Sequence, residues 1–235
     1  MSEAADIWAV VPVKDTAAAK QRLAPALPSP LRRELALAML EDVLSALAEV
    51  RSLAGRVLIT IDDAAMRLAT RYGAECWADG AADGHTGAVT AAARRLARDG
   101  RGGMLTLPGD IPLVTPAEIE RLFAEHQPAP SFTIAPSHDE KGSNEIVMSP
   151  PDAVQLRFGD DSFRPHLAAA KARGIAPVVL HLPGIALDID NPVDLAHFSK
   201  LGSRTRAGLW LARNAGALAS AGFTPPPTPG TQPPP

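Results

Sequence analysis

The stretch "IWAVVPVKDTAAAKQRLAP", residues 7–25, decides the fold. Its first seven residues are a continuous apolar run rich in β-branched side chains, the pattern of a strand covered on both faces. At Lys14 the character changes abruptly to a polar segment that carries Lys14, Lys20 and Arg22. Ser29 then reads as an N-cap with Pro30 at the first helical position. Leu35, Met39, Val43 and Leu47 follow at helical spacing in a helix from Leu31 to about Val50. A buried strand, a cationic loop and a helix, in that order, are how a parallel α/β sheet begins, and such sheets bind ligands at the carboxyl ends of their strands.

The same alternation continues outward. "RVLITI" (56–61) reads as a second buried strand ending in Asp62 and Asp63, and "AAMRLATRYG" as a short helix closing at Gly73. "AECWA" is a third strand, "TGAVTAAARRLARDG" a helix stopped by Gly100, and "GMLTL" a fourth strand. Beyond Pro116 the pattern predicts a helix (117–125), strands at "SFTIAP" and "NEIVMSPP", a helix from about Ser162 to Gly174, and a strand at "APVVLHL". "ALDIDNPVDLAHFSKLG" reads as a strand end, a turn and a helix starting after Pro192. Residues 1–203 are read as one domain, 204–223 as a C-terminal extension that is either a docked helix or tail, and 224–235 as a disordered Pro-rich tail.

Bulk properties narrow the function. A hydrophobic content of 46% with 21% charged residues is that of a soluble globular chain. The net charge of -3 gives no general attraction to nucleic acid or acidic membranes, so any phosphate site must be local. Cys76 is the only cysteine, which leaves no internal disulfide and no cysteine cluster for zinc. The apolar run at 7–13 is too short for a membrane helix and lacks the basic start of a signal peptide, so a cytosolic protein is expected.

Three constellations carry candidate chemistry. Lys14, Lys20 and Arg22 offer flexible and forked cations suited to a nucleoside triphosphate, against the plain alternative of a solvated loop. Neither GxxxxGK[ST] nor GxGxxG is present, which argues against a Walker loop and a dinucleotide site. Asp110, in "TLPGDIPLVT" (106–115), and Asp188, after "GIAL", each lie where an apolar strand meets a turn. Two such carboxylates brought together suit Mg²⁺ that also holds phosphates. Asp190 or Asn191 reads as the cap of the helix after Pro192, with Asp190 preferred, which leaves Asp188 without a local structural role. Ser143, Asn144, Gly159 and Ser162, in "KGSNEI" and "RFGDDSF", supply small polar groups, and a helix starting at Ser162 would add anion-binding N–H groups. No Ser–His–Asp or Cys–His pattern is present, and His126, His138, His181 and His197 lack metal-site spacing. His166, one turn beyond Ser162, reads first as a structural histidine, with facing the acceptor as the alternative; Trp8 and Trp77 read as core.

In order along the chain, "PVKDTAAAKQRLAP", "LRRELALAMLEDVLSAL", "LPGDIPLVTPAEI", "KGSNEI", "FGDDSFRPHLAAA" and "GIALDIDNPVDL" resemble the small guanylyltransferases of deazaflavin coenzyme F(420) biosynthesis. The resemblance runs from Ile7 to about Phe198 and implies a three-layer, Rossmann-like nucleotide-diphospho-sugar transferase fold with a mostly parallel mixed sheet. It further implies transfer of the guanylyl group of GTP to a three-carbon phospho-acid with release of pyrophosphate. That acid is 2-phospho-L-lactate, phosphoenolpyruvate or 3-phospho-D-glycerate. Carried over, Asp110 and Asp188 bind Mg²⁺, Ser143, Gly159 and Ser162 contact the phospho-acid, and Lys14, Lys20, Arg22 and Thr86 serve the nucleotide. Lys20 joins the two aspartates in the catalytic set. The expected partners are GTP and a small phosphorylated acid, with a homodimer allowed and no nucleic acid or membrane. One departure is "GHTGAV" (84–89), where the family usually has Gly-Leu-Asn: His85 and Thr86 there favour 3-phospho-D-glycerate, an acceptor with an extra hydroxyl. The rival readings are a molybdenum-cofactor type nucleotidyltransferase, a glycosyltransferase using "DID" as a DxD motif, and a non-catalytic nucleotide-binding regulator.

Overall fold

The computed structural model describes residues 6–16 and 19–223; the Pro-rich segment 224–235, read above as a disordered tail, lies outside them. The predicted alternation is present. β1 (Ile7–Pro12), β2 (Gly55–Ile59), β3 (Glu75–Trp77) and β4 (Gly103–Thr106) are parallel neighbours in the order β3-β2-β1-β4. β6 (Ser143–Ser149) then pairs antiparallel with both β4 and β5 (Ser131–Pro136), and β7 (Val178–Val179) adds parallel to β5. The result is a seven-stranded mixed sheet in the order β3-β2-β1-β4-β6-β5-β7. "APVVLHL" yields only the two-residue β7.

Side chains alternate across this sheet and fill two layers. Ala9, Val11, Leu58, Leu105 and Val147 face one side, against α1 (Ser29–Glu49), α2 (Asp63–Arg71) and α4 (Pro116–Glu125). Val10, Val57, Ile59, Met104, Ile134 and Ile146 face the other, against α3 (Gly84–Arg98) and α5 (Phe163–Ala172). Because the strand period is two, the continuous apolar runs in the sequence are what a sheet covered on both faces requires. The helices start where the chain supplies acceptors. Thr115 and Glu118 form a capping box on α4, and Asp62 accepts from Ala64 N and Ala65 N at α2.

The C-terminal extension is helical and docked: α8 (Arg206–Arg213) and α9 (Ala215–Ser220) follow α7 (Pro192–Lys200). Trp210, Leu211 and Leu218 join Leu35 and Met39 of α1 and Leu195 and Phe198 of α7 in a third apolar cluster. The Asp42 carboxylate accepts from Arg206 N (2.7 Å) and Ala207 N (2.9 Å), so α1 supplies acceptors to the first turn of α8. Among the described residues, no helix is long and apolar enough to cross a membrane.

One expectation is corrected. The segment before Asp188 is not a strand end: Pro183–Ala186 form a single helical turn, α6, and 187–190 continue as extended chain outside the sheet. Pro183 at the first helical position presets this turn. The extended piece is instead tied to the sheet rim by Ile189 N, which donates to the Asp110 carbonyl at 3.1 Å.

Candidate active site

The carboxyl ends of β1 and β4 open into a cavity of about 800 Å³, the size range of small-molecule sites. Lys14, Lys20 and Arg22 from the loop after β1 line it, with Gly109 and Asp110 after β4, Asp190 before α7, and Gly84, His85 and Ala88 of α3. The loop after β1 is held at its base by Asp62. One carboxylate oxygen caps α2, while the other accepts from Thr16 N (3.1 Å) and Thr16 Oγ1 (2.6 Å). Burial alone would raise the Asp62 pKa, but Thr16 and the backbone N–H groups outweigh it and lower it. The sequence signal for this anchor was only a strand ending in two aspartates.

Lys20 adopts a left-handed backbone conformation (φ 54°) at the start of the short 3-10 turn Gln21–Leu23. There its ammonium reaches both Asp110 and Asp190, the latter at 2.7 Å. Burial by itself would lower the Lys20 pKa, but the two carboxylates more than offset it and raise it, so Lys20 stays charged. Asp190 is held below its ordinary value because Lys20, Arg22 and Lys14 outweigh its own desolvation. Asp110 is raised by burial, with Lys20 opposing, and its Oδ1 is buried with no hydrogen-bond partner among the described residues. Asp188 is pushed up to about 6, first by burial and then by the charge of Asp110, while Asn144 Nδ2 donates to its Oδ1 at 3.2 Å. Asn144 also donates to Ile185 O (2.9 Å), which pins α6 and the extended piece to β6.

Asp190 is therefore not the helix cap. Asn191 caps α7, accepting from Val193 N and Asp194 N, and Asp194 accepts in return from the N–H groups of Asn191 and Asp190. Two adjacent polar residues preceded Pro192, and the capping geometry selected the one next to it. That frees Asp190 for Lys20. Lys20 thus sits between Asp110 and Asp190, Asp188 lies close enough to both carboxylates to feel their charge, and the orphaned Asp110 Oδ1 remains among them. Among the described residues, no group of three or more His, Cys, Asp or Glu is arranged to hold a metal ion. The donor set is nonetheless the hard oxygen type that Mg²⁺ takes together with phosphates.

The candidate acceptor residues form a second cluster at β6 and α5. Ser143 N donates to Ser162 Oγ (3.1 Å), and Ser143 Oγ lies 2.9 Å from His166 Nδ1. The expected anion site at the start of α5 is largely consumed. Ser162 N and Phe163 N both donate to Lys141 O, and Pro165 has no N–H, which leaves Arg164 N in the first turn. Gly159 sits on an exposed turn where a Cβ would meet nothing within 4 Å.

Thr86 was expected to serve the nucleotide, in a wall of the nucleotide or acceptor pocket. Its hydroxyl accepts from Phe158 N (3.0 Å) and lies 3.5 Å from Phe158 O, so it clamps the Phe158 backbone and is not among the residues that line the cavity. His85 stacks on the Phe158 ring (centroids 4.1 Å apart), and its Nε2 is buried with no partner among the described residues. Burial first, and then Lys14, lower its pKa to about 4, so the ring is neutral. Arg22 reaches Asp160 at 2.8 Å across the opening; this exposed pair contributes at most ~1 kcal/mol.

Comparison with known proteins agrees with this architecture. The family model for guanylyl transferase CofC-like proteins matches residues 7–215. The chain is 34% identical over 202 residues to phosphoenolpyruvate guanylyltransferase of Conexibacter woesei, covering 86% of this chain and 91% of that one. It is likewise 34% identical over 194 residues to 3-phospho-D-glycerate guanylyltransferase of Colwellia psychrerythraea, covering 83% and 91%. Among solved structures, a protein assigned as a nucleotide-diphospho-sugar transferase from Desulfovibrio desulfuricans G20 superposes with a TM-score of 0.72 at 16% identity, covering 92% and 98%. A 4-diphosphocytidyl-2C-methyl-D-erythritol synthase gives 0.59 at 14% identity, covering 87% and 98%. The fold is that of the nucleotide-diphospho-sugar transferases, and the chain belongs to the CofC-like guanylyltransferase family.

Proposed function

We propose that this nucleotidyltransferase joins GTP to a three-carbon phospho-acid, releasing pyrophosphate, in the cytoplasmic assembly of a deazaflavin coenzyme. The observation that carries the reading is Lys20 held between Asp110 and Asp190 in a cavity also lined by Lys14 and Arg22, with Asp188 close enough to Asp110 to feel its charge. Ile59, Ala81 and Ala88 also line the cavity and give it an apolar part that suits a base. The triphosphate then lies toward Lys14, Lys20 and Arg22.

An oxygen of the acceptor phosphate attacks the α-phosphorus in line. The new P–O bond forms as the bond from the α-phosphorus to the bridging oxygen breaks, and pyrophosphate departs with that electron pair. A phosphate monoester has its second pKa near 6, so the nucleophile is already ionised and no side chain need remove a proton. Lys20 and Arg22 oppose charge on the leaving group, and fixed placement supplies the remaining acceleration. Asp110 and Asp188 would hold Mg²⁺, which when bound neutralises phosphate charge and polarises the α-phosphoryl group. The orphaned Asp110 Oδ1 and the raised Asp188 support this assignment, since both are relieved by a cation.

Of the three acids, we favour 3-phospho-D-glycerate. The support is His85, whose Nε2 lacks a partner among the described residues and whose ring lies on Phe158 of the acceptor segment. Thr86 no longer contributes to that argument, because its hydroxyl is already used. The test is pyrophosphate release by purified protein with Mg²⁺ and GTP, paired in turn with the three acids. The highest kcat/KM is expected with 3-phospho-D-glycerate. Equal or greater efficiency with phosphoenolpyruvate would remove that preference, and no turnover with any of the acids would remove the reaction itself.

A further inference from the structure

His166 is 1% exposed, and both its ring nitrogens are engaged. The Arg157 N–H donates to Nε2 at 2.9 Å, and Nδ1 faces Ser143 Oγ at 2.9 Å. A backbone amide can only donate, so Nε2 must carry a lone pair. The proton of the neutral ring is therefore on Nδ1, and Nδ1–H donates to Ser143 Oγ. The reverse arrangement, with Ser143 donating to Nδ1, would force a proton onto Nε2 against the Arg157 N–H. That direction turns the Ser143 hydrogen away from the ring. Ser162 Oγ accepts from Ser143 N and lies 3.3 Å from Ser143 Oγ. The Ser143 hydrogen is therefore directed to Ser162 Oγ in the free protein or to a bound acceptor oxygen.

We propose that His166 is a positioning residue for the acceptor: through Nδ1–H it keeps the Ser143 hydrogen off the ring, so that the hydroxyl can donate to an anionic oxygen of the phospho-acid. The inference rests on the reading of Ser143 as an acceptor contact. Phe158 meets the His166 ring edge-on (centroids 5.1 Å apart), and Thr86 clamps the Phe158 backbone, so packing also sets the ring orientation. Ser162, whose hydroxyl lies 3.3 Å from that of Ser143, flanks the donor.

The two amide replacements separate this role from packing. In H166N the carboxamide nitrogen falls where Nδ1 was and can still donate to Ser143. In H166Q the carboxamide oxygen reaches the Nε2 position, accepts from Arg157 N and leaves Ser143 without its donor. With full-length protein, H166Q should raise KM for the phospho-acid roughly ten- to hundredfold, the usual loss for a hydrogen bond to a charged group. KM for GTP should stay within about twofold, H166N should recover most of the loss, and S143A should match H166Q with no further loss in the double variant. Equal impairment of H166N and H166Q in both KM values, or additive losses in the double variant, would overturn the proposal. Long-range ¹H–¹⁵N spectra of the unsubstituted protein give a test that needs no variant. They should show His166 as the Nδ1–H tautomer, and an Nε2–H or doubly protonated ring would overturn it. If the unsubstituted protein turns over none of the acids while the tautomer is as stated, the functional reading fails and the hydrogen-bond direction stands.

Discussion

Glu145 offers a stability experiment whose sign and size follow from the structure. It lies on β6, 0% exposed, and neither carboxyl oxygen has a hydrogen-bond partner among the described residues. Burial raises its pKa well above the ordinary 4.5, and the nearby Glu118 charge adds to the rise. The folded protein therefore holds a proton that the unfolded chain gives up. The stability contributed by the neutral carboxyl is complete below the unfolded value and is lost as pH rises toward the folded one. Over that window one proton costs about 1.4 kcal/mol per pH unit, or up to about 3 kcal/mol between pH 5 and pH 7. Glu145→Gln keeps the shape but cannot ionise, so its advantage over the unsubstituted protein should grow with pH at that slope. Glu145→Met also removes the unpaired polar atoms and should be the more stable variant by a further ~1–3 kcal/mol at every pH. Urea unfolding of the three proteins at pH 5, 6, 7 and 8 reads this directly. Parallel pH profiles for the unsubstituted protein and the Glu145→Gln variant would show that the carboxyl ionises freely in the fold, and the reasoning would fail.

Three further outcomes follow from the site and its supports. Asp190→Asn should lower kcat on the order of a hundredfold, whereas Asn191→Ala should cost ~1 kcal/mol of stability and leave kcat nearly intact; steady-state kinetics and urea unfolding together separate ion pair from cap. Thr86→Val leaves the Phe158 N–H unpaired, a loss of ~1–3 kcal/mol, and should raise KM for the phospho-acid with KM for GTP unchanged; a rise confined to GTP would return Thr86 to the nucleotide site. Asp42→Ala removes the acceptor for Arg206 N and Ala207 N and should cost ~1–2 kcal/mol. Hydrogen exchange should then increase first in 206–220, and uniform exchange would contradict local docking.

Much of the fold was legible because burial on both faces writes continuous apolar runs, as at 7–13 and 56–61, and because turn residues stop them. The failures have local causes. "GIAL" looks like a strand in composition, but Pro183 starts a helical turn there. Asp190 and Asn191 are both good caps, and only the backbone angles at Asn191 decide between them. The clusters around Lys20 and Ser143 bring together residues up to 170 positions apart, a juxtaposition no local pattern encodes. Thr86 and His166 were visible as polar residues near the right motifs. Their partners, the Phe158 and Arg157 backbones, carry no side-chain signal at all.

The central claim is guanylyl transfer from GTP directly to an acid, organised by the aspartates around Lys20. Its most direct measurement is pyrophosphate release by the unsubstituted protein and by Asp110→Asn, with GTP and Mg²⁺, in the presence and absence of the three-carbon phospho-acid. Release should require the acid, equal the amount of guanylylated product formed, and fall by at least about a hundredfold in Asp110→Asn. Release without acid, or Asp110→Asn turning over at an undiminished rate, would contradict that claim.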